Sequence, residues 1–181
     1  MDNPIITSDY SILKDYYDNT LNKDKTTYKS SNDEPTPIDC VMEMVSKIPE
    51  SFWKKKDLRI LDPCCGNGNF HFVIYQELHK YRSKRRILED ILYFNDINED
   101  RIKNVKSIFG VKDYKLNITQ KDFLKFEIDD DNCKYDLVVA NPPYAKFLDN
   151  GNRTSKNHNL IKDFINKTLS LLKPNGYLLY I

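Results

Sequence analysis

Apolar positions along the chain follow two patterns, short continuous runs and stripes that repeat every three to four residues. The runs predict five strands, most of them buried, at residues 58–61, 91–94, 114–118, 135–140 and 177–181. The stripes lie between the runs and predict amphipathic helices. Because strands alternate with helices, we expect an α/β fold with a doubly wound, mainly parallel sheet.

Several helices have clear start and stop signals in the sequence. Thr36 is expected to cap a helix whose first residue is Pro37, and Pro49 is expected to end it. Asn98 suits the cap of a later helix that Gly110 stops. A last helix is expected at about residues 159–172, after which residues 174–176 turn the chain into the last strand.

Residues 1–35 precede this pattern and are mostly polar. Ile12, Leu13, Tyr16 and Tyr17 have helical spacing, but the polar stretch that follows them, ending in SSNDEP, favours loop structure. We therefore expect an N-terminal arm over residues 1–35 and a folded core over residues 36–181.

The stretch LRILDPCCGNGNF at 58–70 predicts a strand, a tight glycine loop and the start of a helix. In an open α/β sheet that junction lies at the carboxyl end of a strand, where ligands bind. Gly66 and Gly68 permit close approach of the backbone to a ligand, and Asp62 can accept a hydrogen bond from an amino or hydroxyl group. An ordinary strand-to-helix turn would have the same pattern.

Two other predicted strands are followed by an acidic residue. Asp96 follows the second strand, where a carboxylate suits a ribose diol, although it would also suit the cap of the next helix. Asp122 follows the third strand and could accept from an exocyclic amine while Phe123 covers a ring face. The alternative for this pair is a turn acid followed by a core aromatic residue.

The sequence NPPY at 141–144 directly follows the predicted strand at 135–140. Two prolines hold the chain extended and remove backbone donors. The Pro142 carbonyl and the Asn141 amide oxygen can then present two acceptors to one NH2 group, and Tyr144 offers a flat surface for a planar substrate. A proline-rich turn with a surface tyrosine is the alternative interpretation.

The composition is that of a globular chain large enough for one domain. The 181 residues are 40% hydrophobic and 30% charged, and no apolar run approaches the ~20 residues of a membrane helix. The net charge of +1 neither favours nor excludes nucleic acid, and the basic clusters at 54–56 and 82–86 are interpreted as solvated faces.

The four cysteines, Cys40, Cys64, Cys65 and Cys133, form no C-x-x-C pair. We interpret them as reduced thiols and expect no metal site. The N-terminus is polar and lacks a signal-peptide pattern, so a cytoplasmic location is expected.

Taken in order, TP, DPCCGNGNF, FNDIN, DFL and NPPY closely resemble the motifs of S-adenosylmethionine-dependent amino-methyltransferases of DNA. The resemblance covers residues 36–181 and is to the gamma group, the adenine-N6 methyltransferases often paired with type II restriction enzymes. It implies a Rossmann-like methyltransferase fold, S-adenosylmethionine as cofactor and DNA as partner. The implied activity is that of a site-specific, adenine-specific DNA methyltransferase, which transfers a methyl group to the N6 amine of a flipped adenine.

The resemblance also implies a role for each motif residue. The residues that hold the methionine part of the cofactor would be Thr36, Asp62, Cys64, Gly66 and Gly68. Asp96 would bind the ribose hydroxyls and Ile97 would lie against the adenine ring of the cofactor. Asp122 would bind the cofactor's amino group, with Phe123 packed beside it. The catalytic motif that holds the target base would be Asn141, Pro142, Pro143 and Tyr144. The three histidines match nothing in the pattern, so His71, His79 and His158 are expected to be structural or solvent-facing.

The chain departs from the pattern of this group at its end. The group's sheet continues into two further strands and is followed by a target-recognition domain, whereas this chain stops at the fifth predicted strand. We therefore expect a catalytic core over 36–181 that lacks the C-terminal strands, with recognition supplied by a separate domain or subunit. Three alternatives stay open: ribosomal RNA adenine as substrate, a protein glutamine as substrate, and a catalytically silent partner subunit that binds the cofactor.

Overall fold

The computed structural model describes residues 6, 9–24, 34–125, 134–143 and 160–181. Within these ranges five strands form one sheet, and every neighbouring pair is parallel: β1 (Ile60–Asp62), β2 (Leu92–Asn95), β3 (Asn117–Thr119), β4 (Tyr135–Ala140) and β5 (Leu172–Tyr180). Their order across the sheet is β3-β2-β1-β4-β5. The predicted doubly wound parallel sheet is confirmed, with its switch in strand order between β1 and β4.

The helices lie between these strands and ahead of them. Helix α1 (Tyr10–Tyr16) continues as a π-helical turn over Tyr17–Leu21. The helices that follow are α2 (Ile38–Ser46), α3 (Glu50–Trp53), α4 (Asn69–His79), α5 (Lys84–Arg86) with a π-helical turn over Ile87–Ile91, α6 (Glu99–Phe109) and α7 (Leu160–Leu171). A short 3₁₀ turn, Phe123–Lys125, follows β3. No helix in the described ranges is long and apolar enough to cross a bilayer.

Alternate residues of the central strands pack into cores on opposite faces of the sheet. Ile60 and Val139 belong to a large core that includes residues of α1, α2, α4 and α6. Leu61 and Val138 belong to a smaller core with Phe164 of α7. Because both faces are covered, the strands are continuous apolar runs rather than alternating ones.

The segment predicted as a polar arm contributes a helix to the large core. Leu13, Tyr17 and Leu21 are buried in that core and are spaced four residues apart, whereas Ile12 is 62% exposed. The helical spacing of residues 12–17 corresponds to this helix, which continues through residue 21 because one face of the segment has tertiary contacts that stabilise it.

Three local predictions about helix and strand ends can be compared with the structure. Asn98 caps α6 as predicted, since its side chain accepts from the backbone N–H groups of Asp100 (2.9 Å) and Arg101 (3.3 Å). The predicted cap at Thr36 is wrong, because Pro37 holds the cap position of α2 and no side chain accepts there. The third strand begins at Asn117 rather than at residue 114, since the chain is still in the turn that closes α6.

The predicted turn at residues 174–176 lies inside β5. Leu172 pairs with Tyr135 and Tyr177 pairs with Leu137, and the register shifts between these two pairs. Asn175 adopts a positive φ of 62° at this irregularity. The turn signal therefore produces a bulge that lets β5 begin pairing earlier than expected.

Candidate active site

The loops after β1 and β4 form one side of a pocket at the carboxyl ends of the strands. Five of the predicted site residues line it: Thr36, Asp62, Cys64, Gly66 and Asn141. They come from three distant parts of the sequence and meet because β1 and β4 are neighbours in the sheet.

Sequence reasoning missed other residues that line the same pocket, namely Glu34, Pro35, Cys65, Asn67, Asn69, Phe70 and Arg101. Asn67 and Asn69 flank Gly68, so their place beside the glycines could have suggested them. Arg101 has no comparable signal, because it reaches the pocket only through the position of α6 after β2.

Asp62 is a buried carboxyl group in this pocket. Its Oδ1 accepts a hydrogen bond from the neutral backbone N–H of Cys64 at 3.1 Å. Burial raises the pKa of Asp62 well above its usual value and repulsion from Asp96 adds to this, while the Cys64 hydrogen bond lowers it. A cationic ligand would stabilise the ionised form, so this site favours a positively charged group.

Asp96 is also buried, and both of its oxygens contact backbone donors. One accepts from the N–H of Gly66 and the other from the N–H of Asn98, each at 2.8 Å. The alternative role as helix cap is wrong, because Asn98 is the cap residue of α6. Asp96 thus fixes the glycine loop. Ile97, next along the chain, is 63% exposed.

The second glycine of the loop is required by packing. Gly68 is the N-cap of α4 and has a φ of 88°, and an added Cβ would lie 2.8 Å from a ring carbon of Phe109. The preceding carbonyl, that of Asn67, accepts a hydrogen bond from the Tyr17 hydroxyl at 2.9 Å. Gly68 therefore shapes the loop by its backbone conformation, and its contact with a cofactor stays a prediction.

Asn95, at the end of β2, links the three loops on this side of the sheet. Its amide nitrogen donates to the carbonyls of Pro63 (2.9 Å) and Lys121 (3.0 Å), and its amide oxygen accepts from the Thr119 hydroxyl (2.7 Å). Its buried amide is fully used in positioning the loops.

The predicted pair after β3 lies apart from the residues that line the pocket. Asp122 accepts from the N–H of Leu124 at 3.1 Å, and Phe123 is buried against Phe164 with ring centroids 5.3 Å apart. This matches the structural alternative for Phe123 as a core aromatic residue. Their roles toward a cofactor stay predictions.

The side-chain amide of Asn141 has a defined orientation. Its Nδ2 donates to the Glu34 carbonyl at 3.2 Å and to the Thr36 hydroxyl at 3.3 Å. A carbonyl can only accept, so the NH2 group must face Glu34 and the acceptor Oδ1 is the other branch of the amide. Pro142 is buried and Pro143 exposed, while Tyr144 lies outside the described residues.

The cysteines and histidines of the described residues are the remaining groups with sulfur or imidazole side chains. Cys40, Cys64 and Cys65 are free thiols, and burial raises the pKa of Cys65. His71 is buried with its ring 4.2 Å from that of Phe94, and His79 stacks on Tyr75. Cys133 and His158 lie outside the described residues.

Other proteins are similar to this chain in sequence or in fold. The chain is 28% identical to the type II methyltransferase M.VspI of Vibrio sp. (strain 343), over 92% of this chain and 40% of that protein. A proposed class I S-adenosylmethionine-dependent methyltransferase from Listeria monocytogenes superposes with a TM-score of 0.66 at 22% identity, over 94% of this chain and 53% of that one. The type I restriction-modification methyltransferase subunit of Streptococcus thermophilus superposes with a TM-score of 0.58 at 13% identity, over 81% and 34%.

The chain has the fold of these methyltransferases, as the sequence predicted, and S-adenosylmethionine, the predicted cofactor, is the one that the Listeria protein is named for. More narrowly, the chain belongs to the Eco57I restriction-modification methylase family, whose model matches residues 7–181. The match includes most of the segment predicted as an arm. The chain spans 40% of the length of its type II relative.

Proposed function

We propose that this chain transfers a methyl group from S-adenosylmethionine to the N6 amine of an adenine flipped out of DNA. The observation that carries this proposal is the meeting of Asn141 with Asp62 and the glycine loop in one pocket. A site for an amine substrate and a site for a cationic cofactor would then adjoin each other.

Asn141 and Pro142 would act on the amine. The lone pair of an adenine amine is delocalised into the ring, so the nitrogen is a weak nucleophile. Acceptance of its two hydrogens by the Asn141 Oδ1 and the Pro142 carbonyl would favour a pyramidal nitrogen and stabilise the positive charge that develops on it. No side chain of the site has to act as a strong base.

The pocket fits the cofactor by its donor set and its charge. S-adenosylmethionine supplies, when bound, an electrophilic methyl group on a positively charged sulfur. Asp62 would attract the positive charges, and Cys64 and the glycine loop would hold the methionine part. Asp96 would accept the ribose hydroxyls, with Ile97 against the adenine ring and the Asp122–Phe123 pair at the amino group. Holding the two reactants in line would supply much of the rate acceleration.

DNA and a separate recognition element are the proposed partners. The target amine cannot be reached inside a duplex, so the base has to be flipped out, and stacking on Tyr144 would hold it. Sequence specificity would come from a further domain or subunit, in line with the 40% of the type II relative that this chain spans.

Methyl transfer can be tested directly with cofactor that carries a tritiated methyl group. Wild-type chain and Asn141→Ala would be incubated with DNA, ribosomal RNA and protein, and the products digested and separated by chromatography. Label in N6-methyldeoxyadenosine that depends on Asn141 is expected. Label confined to RNA or to glutamine would overturn the proposed substrate, and cofactor binding without any transfer would indicate a silent subunit.

A further inference from the structure

The four residues Glu34-Pro35-Thr36-Pro37, here called the EPTP segment, directly precede α2, and the first three of them line the pocket. A residue that precedes proline is kept out of the helical region, and the segment has two such residues, Glu34 and Thr36. Pro37 has φ −56° and ψ 142°, and α2 begins only after it. The segment is therefore stiff before any tertiary contact forms.

This stiffness places two acceptors beside one amide group. The Glu34 carbonyl and the Thr36 hydroxyl both accept from Nδ2 of Asn141, at 3.2 and 3.3 Å. Thr36 is only 6% exposed, so water competes little for the hydrogen bond to its hydroxyl. Both hydrogens of the Asn141 NH2 group can be used by the EPTP segment, which leaves the amide oxygen for other partners.

The same threonine also contacts the helix that follows the glycine loop. Its carbonyl accepts from Nδ2 of Asn69 at 2.8 Å, and that nitrogen also lies 3.0 Å from Oδ1 of Asn22. Asn69 is the first residue of α4, directly after Gly68. Thr36 thus connects Asn141 to the loop on the other side of the pocket.

We propose that Thr36 is a positioning residue whose hydroxyl holds the Asn141 amide with its oxygen directed to the substrate amine. This inference rests on the proposed function and gives Thr36 a role other than that of a methionine ligand. A rotated Asn141 amide would present a donor to the substrate NH2 group and could not stabilise its positive charge. Thr36 therefore acts on turnover through Asn141.

Two substitutions at Thr36 and one elsewhere test this role. Thr36→Val keeps the shape and removes the hydroxyl, and Thr36→Ser restores it. Thr168→Val is the matched control, because Thr168 of α7 is also buried and its hydroxyl forms a hydrogen bond with that of Tyr180 in β5 at 2.6 Å. Methyl-transfer rates at saturating cofactor and DNA would be compared with cofactor Kd from calorimetry on the same proteins.

We expect Thr36→Val to lower kcat about fivefold, the effect of one net hydrogen bond, while cofactor Kd stays within about twofold. Thr36→Ser should recover most of kcat, and Thr168→Val should leave kcat unchanged. An unchanged kcat in Thr36→Val with a Kd raised about tenfold would overturn the proposal and make Thr36 a cofactor ligand.

A spectroscopic measurement on the free chain separates this inference from the proposed function. Hydrogen exchange of the Asn141 side-chain NH2, assigned by its loss in Asn141→Asp, should accelerate at least about tenfold in Thr36→Val and not in Thr168→Val. A wild type that methylates no adenine refutes the proposed function alone, whereas unchanged exchange in Thr36→Val refutes the positioning role whatever the substrate.

Discussion

At the residue scale, two prolines follow Asn141 and restrict its backbone, and its side chain is held by hydrogen bonds to Glu34 and Thr36, which are more than a hundred positions earlier in the sequence. If its oxygen stabilises the charge on the substrate amine, its loss should resemble the loss of an oxyanion-hole donor. We expect Asn141→Ala to lower kcat roughly a hundredfold with little change in cofactor Kd. Single-turnover methyl transfer and calorimetry would measure the two quantities, and a kcat within about threefold of wild type would remove Asn141 from the reaction.

Asp62 makes the free protein less stable as the pH rises. Its pKa is raised by burial, so the folded chain binds this proton more tightly than the unfolded chain does. The associated stability is present below the ordinary carboxyl pKa of about 4 and is lost as the pH rises toward the folded pKa. Asp62→Asn should raise the Tm relative to wild type by an amount that grows from pH 4 upward. The same variant should weaken cofactor binding, and a Tm difference independent of pH would contradict the assignment.

His71 gives the stability of the folded chain the opposite dependence on pH. Burial lowers its pKa to about 3, and its ring nitrogens make no hydrogen bond of normal geometry within the described residues. Between about pH 6.5 and 3 the unfolded chain therefore binds one proton more, and stability should fall on acidification by about 1.4 kcal/mol per pH unit. His71→Phe should remove that part of the slope in denaturant titrations. An identical slope in both proteins would show that His71 is charged in the folded state.

At the element scale, α1 and its π-helical turn support the glycine loop from the N-terminal segment. Tyr10 and Tyr17 both stack on Phe72, with ring centroids 5.2 and 5.0 Å away. Only the Tyr17 hydroxyl reaches the loop, at the Asn67 carbonyl, whereas that of Tyr10 lies beside the sulfur of Met42.

Tyr17→Phe keeps the ring and leaves a buried carbonyl without its donor. We expect a loss of about 1–3 kcal/mol in the free energy of unfolding and weaker cofactor binding. Tyr10→Phe is the matched control and should change both quantities little. Equal effects of the two substitutions in urea unfolding and calorimetry would show that the stacking, and not the loop contact, carries the role of this element.

At the scale of the whole molecule, the basic clusters lie at the wrong end of the sheet for the site. Residues 54–56 precede β1 and residues 82–86 precede β2, so both clusters lie near the amino ends of the strands, opposite the carboxyl ends where the pocket is. Several of these charges are paired within the chain, as Lys54 with Glu50 and Arg86 with Asp90. The Arg82 guanidinium donates to the carbonyls of Trp53 and Lys55.

This arrangement supports the interpretation of the clusters as solvated faces. With a net charge of +1, the chain alone is expected to bind DNA weakly and without sequence preference. Competition between random duplexes and a panel of defined sites would measure this. Discrimination greater than about tenfold would show that recognition lies within these residues.

The sequence by itself determined the class of fold and predicted the end of the sheet at which the candidate site lies. Short apolar runs closed by Asp, Asn, Gly or Pro specify where strands end, and these signals are local. The glycine loop, Asp96 and the NPP stretch could therefore be assigned to the carboxyl ends of parallel strands before any contact was known. The cap at Asn98 also follows from neighbours in sequence.

Tertiary structure alone decided what depends on partners far away in the sequence. Thr36 had the local features of a helix cap, yet its hydroxyl accepts from Asn141, more than a hundred positions away. The polar composition after residue 17 favoured a loop, yet the helix continues to Leu21, whose side chain is buried in the large core with residues of α4 and α6. Local propensity is worth tenths of a kcal/mol per residue, whereas a buried hydrogen bond or side chain is worth about one or more. Where the two disagree, the long-range contact determines the structure.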